Sequence, residues 1–438
     1  MSHYTPYPAY RDSGVEWIGQ VPEHWRVTPL KVIAETVNGA TPESGKPEYW
    51  DGDIAWYTPT DIDNEVASEL GVPRRYITQA GYESCAVKIS PPGSVILSTR
   101  APIGSVGITT IPSTINQGCR TLIPAQDVPT SYLASTLVAA REELRLRGNG
   151  TTFQELSTEA LRSLRVPMPP RSECVSIASG LDRETTRIDA LIAKKSRFIE
   201  LLKEKRQALI THAVTKGLDT NVPMRDSKSE WIGEVPEHWR VCSLGYLSRI
   251  STGGTPDRKN DSYWNGEIPW VKTGEINYKI ISDTEERITD AGLSNSATFI
   301  AEPGTILMAM YGMGVTRGRV AVLGIPASFN QACAAISCSS GVHNWYVFYC
   351  LCAAYRFIRD LGNEASQVNL NLEIVSKIKV PVPPLLEQEE IEKHLVAQLQ
   401  KLDAIEQRVS NSISLIKERR SAFITAAVTG QIDLRESA

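Results

Sequence analysis

The chain has 438 residues, 42% hydrophobic and 22% charged, a composition typical of globular proteins with two or more domains. Its formal net charge of −4 excludes a uniformly basic surface, so binding to a polyanion would have to rest on local patches. The eight cysteines lack CxxC spacing, which indicates neither a disulfide framework nor a zinc site.

The first recognisable motif of the chain returns later almost unchanged. EWIGQVPEHWRV at 16–27 recurs as EWIGEVPEHWRV at 230–241, with eleven of twelve residues identical at an offset of 214. YWDGDIAW and YWNGEIPW, from Tyr49 and Tyr263, repeat at the same offset, as do VPMPP and VPVPP from Val166 and Val380. Repeated blocks in the same order indicate an internal duplication.

Between these blocks, each half has the pattern of a mixed α/β module. Short β-branched runs bounded by Gly and Pro predict strands at 94–99, 105–111 and 319–325. Apolar segments at 132–146 and 345–361 predict helices.

A long helix follows each module. Stepping by alternating fours and threes from Ile177 and from Ile391 gives seven apolar residues of ten in each case, a heptad seam that includes Leu191, Phe198 and Leu402. Prolines precede both segments, and Gly217 and Gly430 are plausible C-terminal breakers. The predicted domains are therefore 1–170, a helix at 171–217, 218–384, and a helix at 385–432.

The two ends of the chain resemble the linker between the halves. TKGLDTNVPMRDS from Thr215 is echoed by TGQIDLR from Thr429 at one end and YPAYRDS from Tyr7 at the other. The chain thus has the pattern of a ring cut at one of two equivalent points. Because compact domains usually have nearby termini, this ring predicts antiparallel helices and pseudo-two-fold symmetry.

Motifs for catalysis and for membrane insertion are missing from the sequence. GATPESGKP from Gly39 has the wrong spacing for a phosphate loop, and neither GxSxG nor HExxH occurs. His24 and His238 stand beside Trp25 and Trp239 in the repeated motif, where a structural turn is the better interpretation. No apolar run reaches about 18 residues and no secretion signal is recognisable, so we expect a cytoplasmic protein without a bound metal.

The matched blocks resemble the specificity subunit of type I restriction-modification systems. The residues that carry this resemblance are the two IGxVPEHWRV openings, GGTP from Gly253, the Asn-Gln pairs at Asn116 and Asn330, and the VPxPP segments before the helices. The first half departs from the family pattern, with NGATP where the second has GGTP. The resemblance covers essentially the whole chain.

Family membership would imply a fold of two α/β target-recognition domains joined by two long antiparallel coiled-coil helices. Each domain would read one half of a split sequence in double-stranded DNA, and the helices would set the spacing and dock two methyltransferase subunits. Restriction subunits would join the assembly. S-adenosylmethionine would belong to the methyltransferase partner, and ATP and Mg to the restriction partner, so the chain itself would be non-catalytic.

Candidate DNA contacts are polar or aromatic side chains in loops, several of which differ between the halves. They are Thr41, Lys46, Tyr57, Thr58, Arg100, Gln117 and Arg120 in the first half, and Thr255, Lys272, Thr273, Tyr311, Arg317, Arg319 and Gln331 in the second. Two other hypotheses remain open: a scaffold whose lobes bind peptides or sugars, and a standalone methyltransferase or nuclease.

Overall fold

The computed structural model describes residues 5–62, 67–148, 154–312, 315–361 and 369–435. The chain divides into two compact units, Met1–Ser196 with Asn411–Ala438, and Arg197–Ser410. Within the described ranges, no helix combines the length and hydrophobicity needed to cross a membrane.

The first module has twelve strands and five short helices among its described residues. The strands are β1 (Tyr10–Asp12), β2 (Gln20–Pro22), β3 (Arg26–Pro29), β4 (Ala34–Asn38), β5 (Trp50–Tyr57), β6 (Ser68–Glu69), β7 (Arg75–Ile77), β8 (Val95–Ser98), β9 (Val106–Ile108), β10 (Ser113–Ile115), β11 (Cys119–Pro124) and β12 (Arg165–Met168). The helices are α1 (Leu30–Ile33), α2 (Gln79–Glu83), α3 (Thr130–Ala139), α4 (Arg141–Leu146) and α5 (Thr158–Arg162). The predicted helix at 132–146 is thus divided in two, at Ala140.

Its strands form two main sheets that share a core. The larger sheet has the order β4-β11-β8-β9-β6 and the smaller the order β10-β5-β7, while β3 pairs with β12 and β1 with β2. Strand β8 alternates its side chains between two cores. Val95 and Leu97 pack in the cluster that contains Leu133 of α3, and Ile96 packs in the cluster that contains Tyr57 of β5.

A long helix, α6 (Arg171–Lys216), leads into the second module, and α12 (Leu385–Val428) ends it. The strands of this module are β13 (Met224–Asp226), β14 (Glu234–Pro236), β15 (Arg240–Ser243), β16 (Ser248–Thr252), β17 (Trp264–Val271), β18 (Ile280–Ile281), β19 (Glu286–Ile288), β20 (Ile306–Ala309), β21 (Val320–Leu323), β22 (Ser328–Phe329), β23 (Cys333–Cys338) and β24 (Lys379–Val382). Its shorter helices are α7 (Leu244–Leu247), α8 (Asp290–Ser294), α9 (Asn344–Ala353), α10 (Tyr355–Leu361) and α11 (Leu372–Lys377).

Sheet topology confirms the duplication. The second module's sheets have the orders β16-β23-β20-β21-β18 and β19-β17-β22, so every strand has a counterpart in the first module. Even an irregularity is repeated: Ile77 of β7 faces both Trp50 and Ile54, and Ile288 of β19 faces both Trp264 and Ile268. The mixed α/β fold class is therefore confirmed.

Both long helices begin at the predicted residue, and α6 ends one residue and α12 four residues before the expected ends at 217 and 432. Arg171 and Leu385 directly follow proline pairs, and Gly217 and Gly430, with φ of 77° and 76°, adopt the left-handed conformation just beyond the last turns. The helices run antiparallel within each unit. In the first unit, Gly180 of α6 lies against Leu434, beyond the end of α12, whereas the later Asp189 pairs with Arg420.

The second unit shows the same direction. Arg206 pairs with Asp403, and Gly217, after the end of α6, lies beside Glu387 near the start of α12. Because higher numbers in α6 meet lower numbers in α12, the pairing here is also antiparallel.

The heptad register of the seam is wrong in the middle of the helices. Leu191 and Phe198, both predicted to face the seam, are each 44% exposed. The sheltered face instead follows steps of eleven residues: Ile177, Ile188, Ile199 and Ile210 in α6, and Ile391, Leu402, Ile413 and Ile424 in α12, are all buried or half-buried. A straight α-helix has 3.6 residues per turn, so a strict seven-residue repeat turns away from the contact face, whereas an eleven-residue repeat stays near it.

Candidate functional site

Each module's opening motif is fixed to the start of a long helix by one carboxylate. His24 Nε2 lies 2.7 Å from Glu173 Oε1, and the buried Trp25 donates its indole N–H to Glu173 Oε2 at 2.9 Å. His238 and Trp239 make the same contacts with Glu387, each at 3.0 Å. The two histidines therefore lie in a structural turn, as the sequence indicated. Across the described part of the chain, no three His, Cys, Asp or Glu side chains are grouped so that they could hold a metal ion.

In the first module, several predicted site residues form one network at the end of the larger sheet. Thr41 donates its hydroxyl to the side-chain oxygen of Gln117. Arg120 donates to the backbone carbonyl of Gln117 at 3.0 Å and, through Nε, to the hydroxyl of Thr158 at 2.9 Å. Thr158 in turn donates to Asn38 at 3.0 Å. Burial lowers the pKa of Arg120 from its ordinary value.

The second module repeats part of this arrangement around an open cavity of about 500 Å³. Thr255 donates to Gln331 as Thr41 does to Gln117. Thr255, Lys272 and Thr273, which come from two separate loops, line the cavity. The fold thus brings these three predicted residues together.

Carboxylates hold Lys272 at the edge of this cavity. Its Nζ lies 2.8 Å from Glu285 and 3.0 Å from Glu286, and these hydrogen bonds raise the pKa of Lys272. Burial opposes the ionisation of Glu286, but hydrogen bonds from Lys272 and Arg258 bring its pKa below the ordinary value. The second module therefore offers charged donors and acceptors side by side.

Other predicted residues in the first module lie apart from the network or face inward. Tyr57 is 1% exposed, and its hydroxyl donates to the carbonyl of Gly71 at 2.8 Å. Lys46 pairs with Glu43 at 3.1 Å, and the exposed Arg100 pairs with Glu155 at 3.2 Å. Thr58 donates to Asp61 at 2.7 Å in the turn after β5.

In the second module, one predicted arginine packs toward α10 and another lies over a tyrosine between β17 and β18. Arg317 is 8% exposed and donates to the carbonyl of Arg359 at 2.7 Å. The Arg319 guanidinium lies 6.0 Å from the ring centre of Tyr278. Tyr311, by contrast, is 40% exposed and follows Met310, whose N–H bonds the loop that carries Gln331. Whether any of these residues contacts DNA stays a prediction.

Sequence reasoning missed two arginines beside these loops. The guanidinium of Arg75 lies 3.5 Å from the ring centre of Trp50, and that of Arg258 lies 3.9 Å from Trp264. Arg258 also lines the cavity of the second module. A signal was available, because Arg258 stands where the first repeat has Ser44, inside a block whose spacing is unchanged.

Comparison with known families decides the identity. The profile described as "Type I restriction modification DNA specificity domain" matches the chain twice, at residues 22–201 and 236–415. The chain belongs to the type I restriction-modification DNA specificity family. The double match coincides with the internal duplication, and the chain thus acts as a DNA sequence-specificity subunit.

Two relatives of this specificity subunit match it over nine-tenths or more of their lengths. The type I restriction enzyme MjaIX specificity subunit of Methanocaldococcus jannaschii is 27% identical over 437 residues, covering 96% of both chains. The StySPI specificity subunit of Salmonella potsdam is 21% identical and covers 94% of this chain and 90% of its own.

Solved structures show the same fold at low sequence identity. A chain from a study of complex assembly in the type I R-M system has a TM-score of 0.69 at 16% identity, covering 93% of this chain and 98% of its own. The HsdS subunit from Thermoanaerobacter tengcongensis has a TM-score of 0.51, also at 16% identity, with 94% and 98% coverage.

Proposed function

We propose that each α/β module reads one half of a bipartite DNA sequence through the loops that surround the Thr41–Gln117 and Thr255–Gln331 pairs. The observation that carries this proposal is the convergence of polar side chains from separate loops on a framework that is otherwise duplicated strand for strand. Side chains with several hydrogen-bond donors and acceptors suit base edges. Two similar frameworks with different loop residues suit two different half-sites.

Within the candidate set, we expect the residues whose side chains are accessible to contact DNA. In the first module these are Thr41, Lys46, Thr58, Arg100, Gln117 and Arg120, and in the second Thr255, Lys272, Thr273, Tyr311, Arg319 and Gln331. Buried Tyr57 and Arg317 would act by supporting the loops, because the Tyr57 hydroxyl and the Arg317 Nη2 group already donate to backbone carbonyls within the fold. The half-buried Lys46 and the exposed Arg100 would contribute phosphate contacts after leaving their carboxylate partners.

We infer further that the long helices set the spacing of the half-sites and dock two methyltransferase subunits. Exposed apolar side chains on the helices, among them Leu191, Phe198 and Leu415, support a partner surface there. Each unit also has a cavity beside a helix-to-helix ion pair, about 720 Å³ near Asp189–Arg420 and about 630 Å³ near Arg206–Asp403.

Catalysis would belong to the partners. The family description assigns DNA specificity to this domain within type I restriction modification, which supports a recognition subunit. Methyl transfer from S-adenosylmethionine would be carried out by the methyltransferase subunits, and ATP-dependent cleavage with Mg by restriction subunits. Turnover by the isolated chain with S-adenosylmethionine or Mg would contradict this division.

Mapping of methylated bases in cells that carry this gene and its methyltransferase partner tests the proposal. We expect one methylated motif made of two fixed blocks separated by a gap of constant length. A single continuous motif would contradict two readers at fixed separation. Binding of the purified complex to this DNA should also weaken steeply as salt rises, since phosphate contacts release counterions, whereas a peptide or sugar ligand would show little slope.

A further inference from the structure

We propose that Arg75 and Arg258 are equivalent DNA-contacting groups of the two modules, each held over a tryptophan ring so that its N–H groups can meet a pair of acceptors on DNA. The acceptors are guanine O6 and N7 or two phosphate oxygens, which a planar guanidinium can bind in the same bidentate way. This inference rests on the proposed function and assigns two further residues to it.

The platform under each arginine is a matched pair of tryptophans. Trp50 and Trp56 meet edge to face with ring centres 5.1 Å apart, and so do Trp264 and Trp270. Trp56 donates its indole N–H to the carbonyl of Ala40 at 3.0 Å, and Trp270 to that of Gly254 at 3.0 Å. Because those carbonyls immediately precede Thr41 and Thr255, the platform supports the proposed recognition loops directly.

The arginines themselves come from different places in the two modules. Arg75 is on β7, opposite Trp56, and the residue opposite Trp270 on β19 is Glu286. In the loop before the platform, the first repeat has Ser44 and the second Arg258. Both modules therefore have a guanidinium over the first tryptophan of the pair. It comes from β7 in the first module and from the loop before the platform in the second.

The two modules therefore share the guanidinium over the tryptophan but not the sequence position that supplies it. A tryptophan face attracts any cation, but a planar guanidinium stacks on it and leaves its donors in the plane free to bond outward. The Arg258 side chain remains 50% exposed. Its position on the wall of the cavity that Thr255 and Lys272 line places it beside the other candidate contacts.

The two modules differ in whether a carboxylate neutralises the charge of the arginine. Arg258 donates to Glu286 at 2.5 Å, so a carboxylate shares its edge in the free protein. Among the described residues, no carboxylate lies within ion-pair distance of Arg75. The carboxylate of Asp61 lies instead 3.8 Å from the neighbouring Arg74. DNA must displace Glu286 to reach Arg258, whereas Arg75 is open. We therefore expect loss of Arg75 to have the larger effect on affinity.

Relocation of the arginine provides the test. The complex of this chain with its methyltransferase partner is assayed for binding to a duplex that contains its mapped methylation site. R258S should weaken binding about tenfold, and R258S/E286R should recover most of that loss because the guanidinium then comes from β19, as it does from β7 in the first module. R75E and S44R/R75E form the reciprocal pair. K259A is the matched control, since it removes a cation from the same loop that does not lie on tryptophan, and it should change affinity less than twofold.

Two further measurements identify the acceptor. If the acceptor is phosphate, R75A lowers the salt slope of binding by about one without changing the site, and if it is guanine, one base pair of the methylated motif becomes degenerate. Unchanged affinity, salt slope and motif in R75A and R258A would overturn the inference, as would a drop in melting temperature with binding by the folded protein intact. A continuous motif from the unaltered complex would instead contradict the proposed function, independently of the arginines.

Discussion

At the scale of single residues, one glutamate in each module links the opening motif to the long helix. Glu173 lies in the first turn of α6, where the helix dipole favours a negative charge, and receives hydrogen bonds from His24 and Trp25. Arg435 from the C-terminal segment lies 3.7 Å from the same carboxylate. Because the glutamate is 7% exposed, its bonds replace nearly all of its contact with water.

We predict that Glu173→Ala lowers the free energy of unfolding by about 3 kcal/mol, since it leaves the buried indole N–H of Trp25 without an acceptor. Glu173→Gln keeps an oxygen for that N–H and should cost about 1 kcal/mol. Urea unfolding of the full chain, followed by tryptophan fluorescence, measures both. Glu387→Ala is the comparison in the second unit, where the side chain is 27% exposed and a smaller loss is expected. Equal losses for Glu173→Ala and Glu173→Gln would mean that the carboxylate does not act through this bond.

At the scale of elements, the long helices show how far the sequence determined the structure. Their ends were predictable because proline and glycine act locally. The seam was not, because a seven-residue repeat and an eleven-residue repeat share their first members and diverge only after two turns or more. Ile177 and Ile188 belong to both patterns and are buried or half-buried, whereas Leu191 belongs to the heptad alone and is exposed.

The candidate site was predictable to a similar degree and for a related reason. The paired loops around Thr41 and Thr255 follow from the repeat, which marks positions retained in both halves. The repeat does not reveal which way a side chain points: Tyr57 was proposed as a contact, but as the last residue of β5 it lies in the core between the sheets. Arg75 was missed because its partner position, Glu286, carries the opposite charge, although the neighbouring Ile77-Thr78 and Ile288-Thr289 pairs already align the two segments and the strand register agrees.

We predict opposite outcomes for two leucines of the proposed heptad. Leu402→Asp puts a charge at a position that is 6% exposed and should destabilise the protein by about 3 to 5 kcal/mol. Leu191→Asp alters a side chain that is 44% exposed and should change stability by less than about 0.5 kcal/mol. Thermal melting of the two variants beside the unaltered chain compares them. A large loss from Leu191→Asp would show that the heptad register is correct after all.

At the scale of the whole molecule, the sequence is duplicated, and the N-terminal and C-terminal segments contact each other. In the first unit, Asp433 donates its backbone N–H to the carbonyl of Thr5 at 2.9 Å, and Tyr10 donates its hydroxyl to the carbonyl of Gly430 at 3.0 Å. The C-terminal segment thus returns to the N-terminal one, as the sequence echo of the linker predicted. Each unit also contains part of α6 and part of α12. One module together with one long helix is therefore half of the duplicated structure, and each half packs against the long helix of the other.

From this symmetry we predict that a fragment of residues 1–220 forms a dimer in which α6 of each copy takes the place of α12 for the other. Together with the methyltransferase partner, the dimer should direct methylation to a palindromic motif built from the first half-site twice, since both of its readers are then the same. Light scattering after size-exclusion chromatography gives the mass of the fragment, and methylation mapping gives the motif. Leu202→Asp alters a residue of α6 that is 6% exposed and should leave the fragment monomeric, whereas Leu191→Asp should not. A strictly monomeric fragment, or a dimer that both variants disrupt equally, would show that the second helix is not replaceable by a copy of the first.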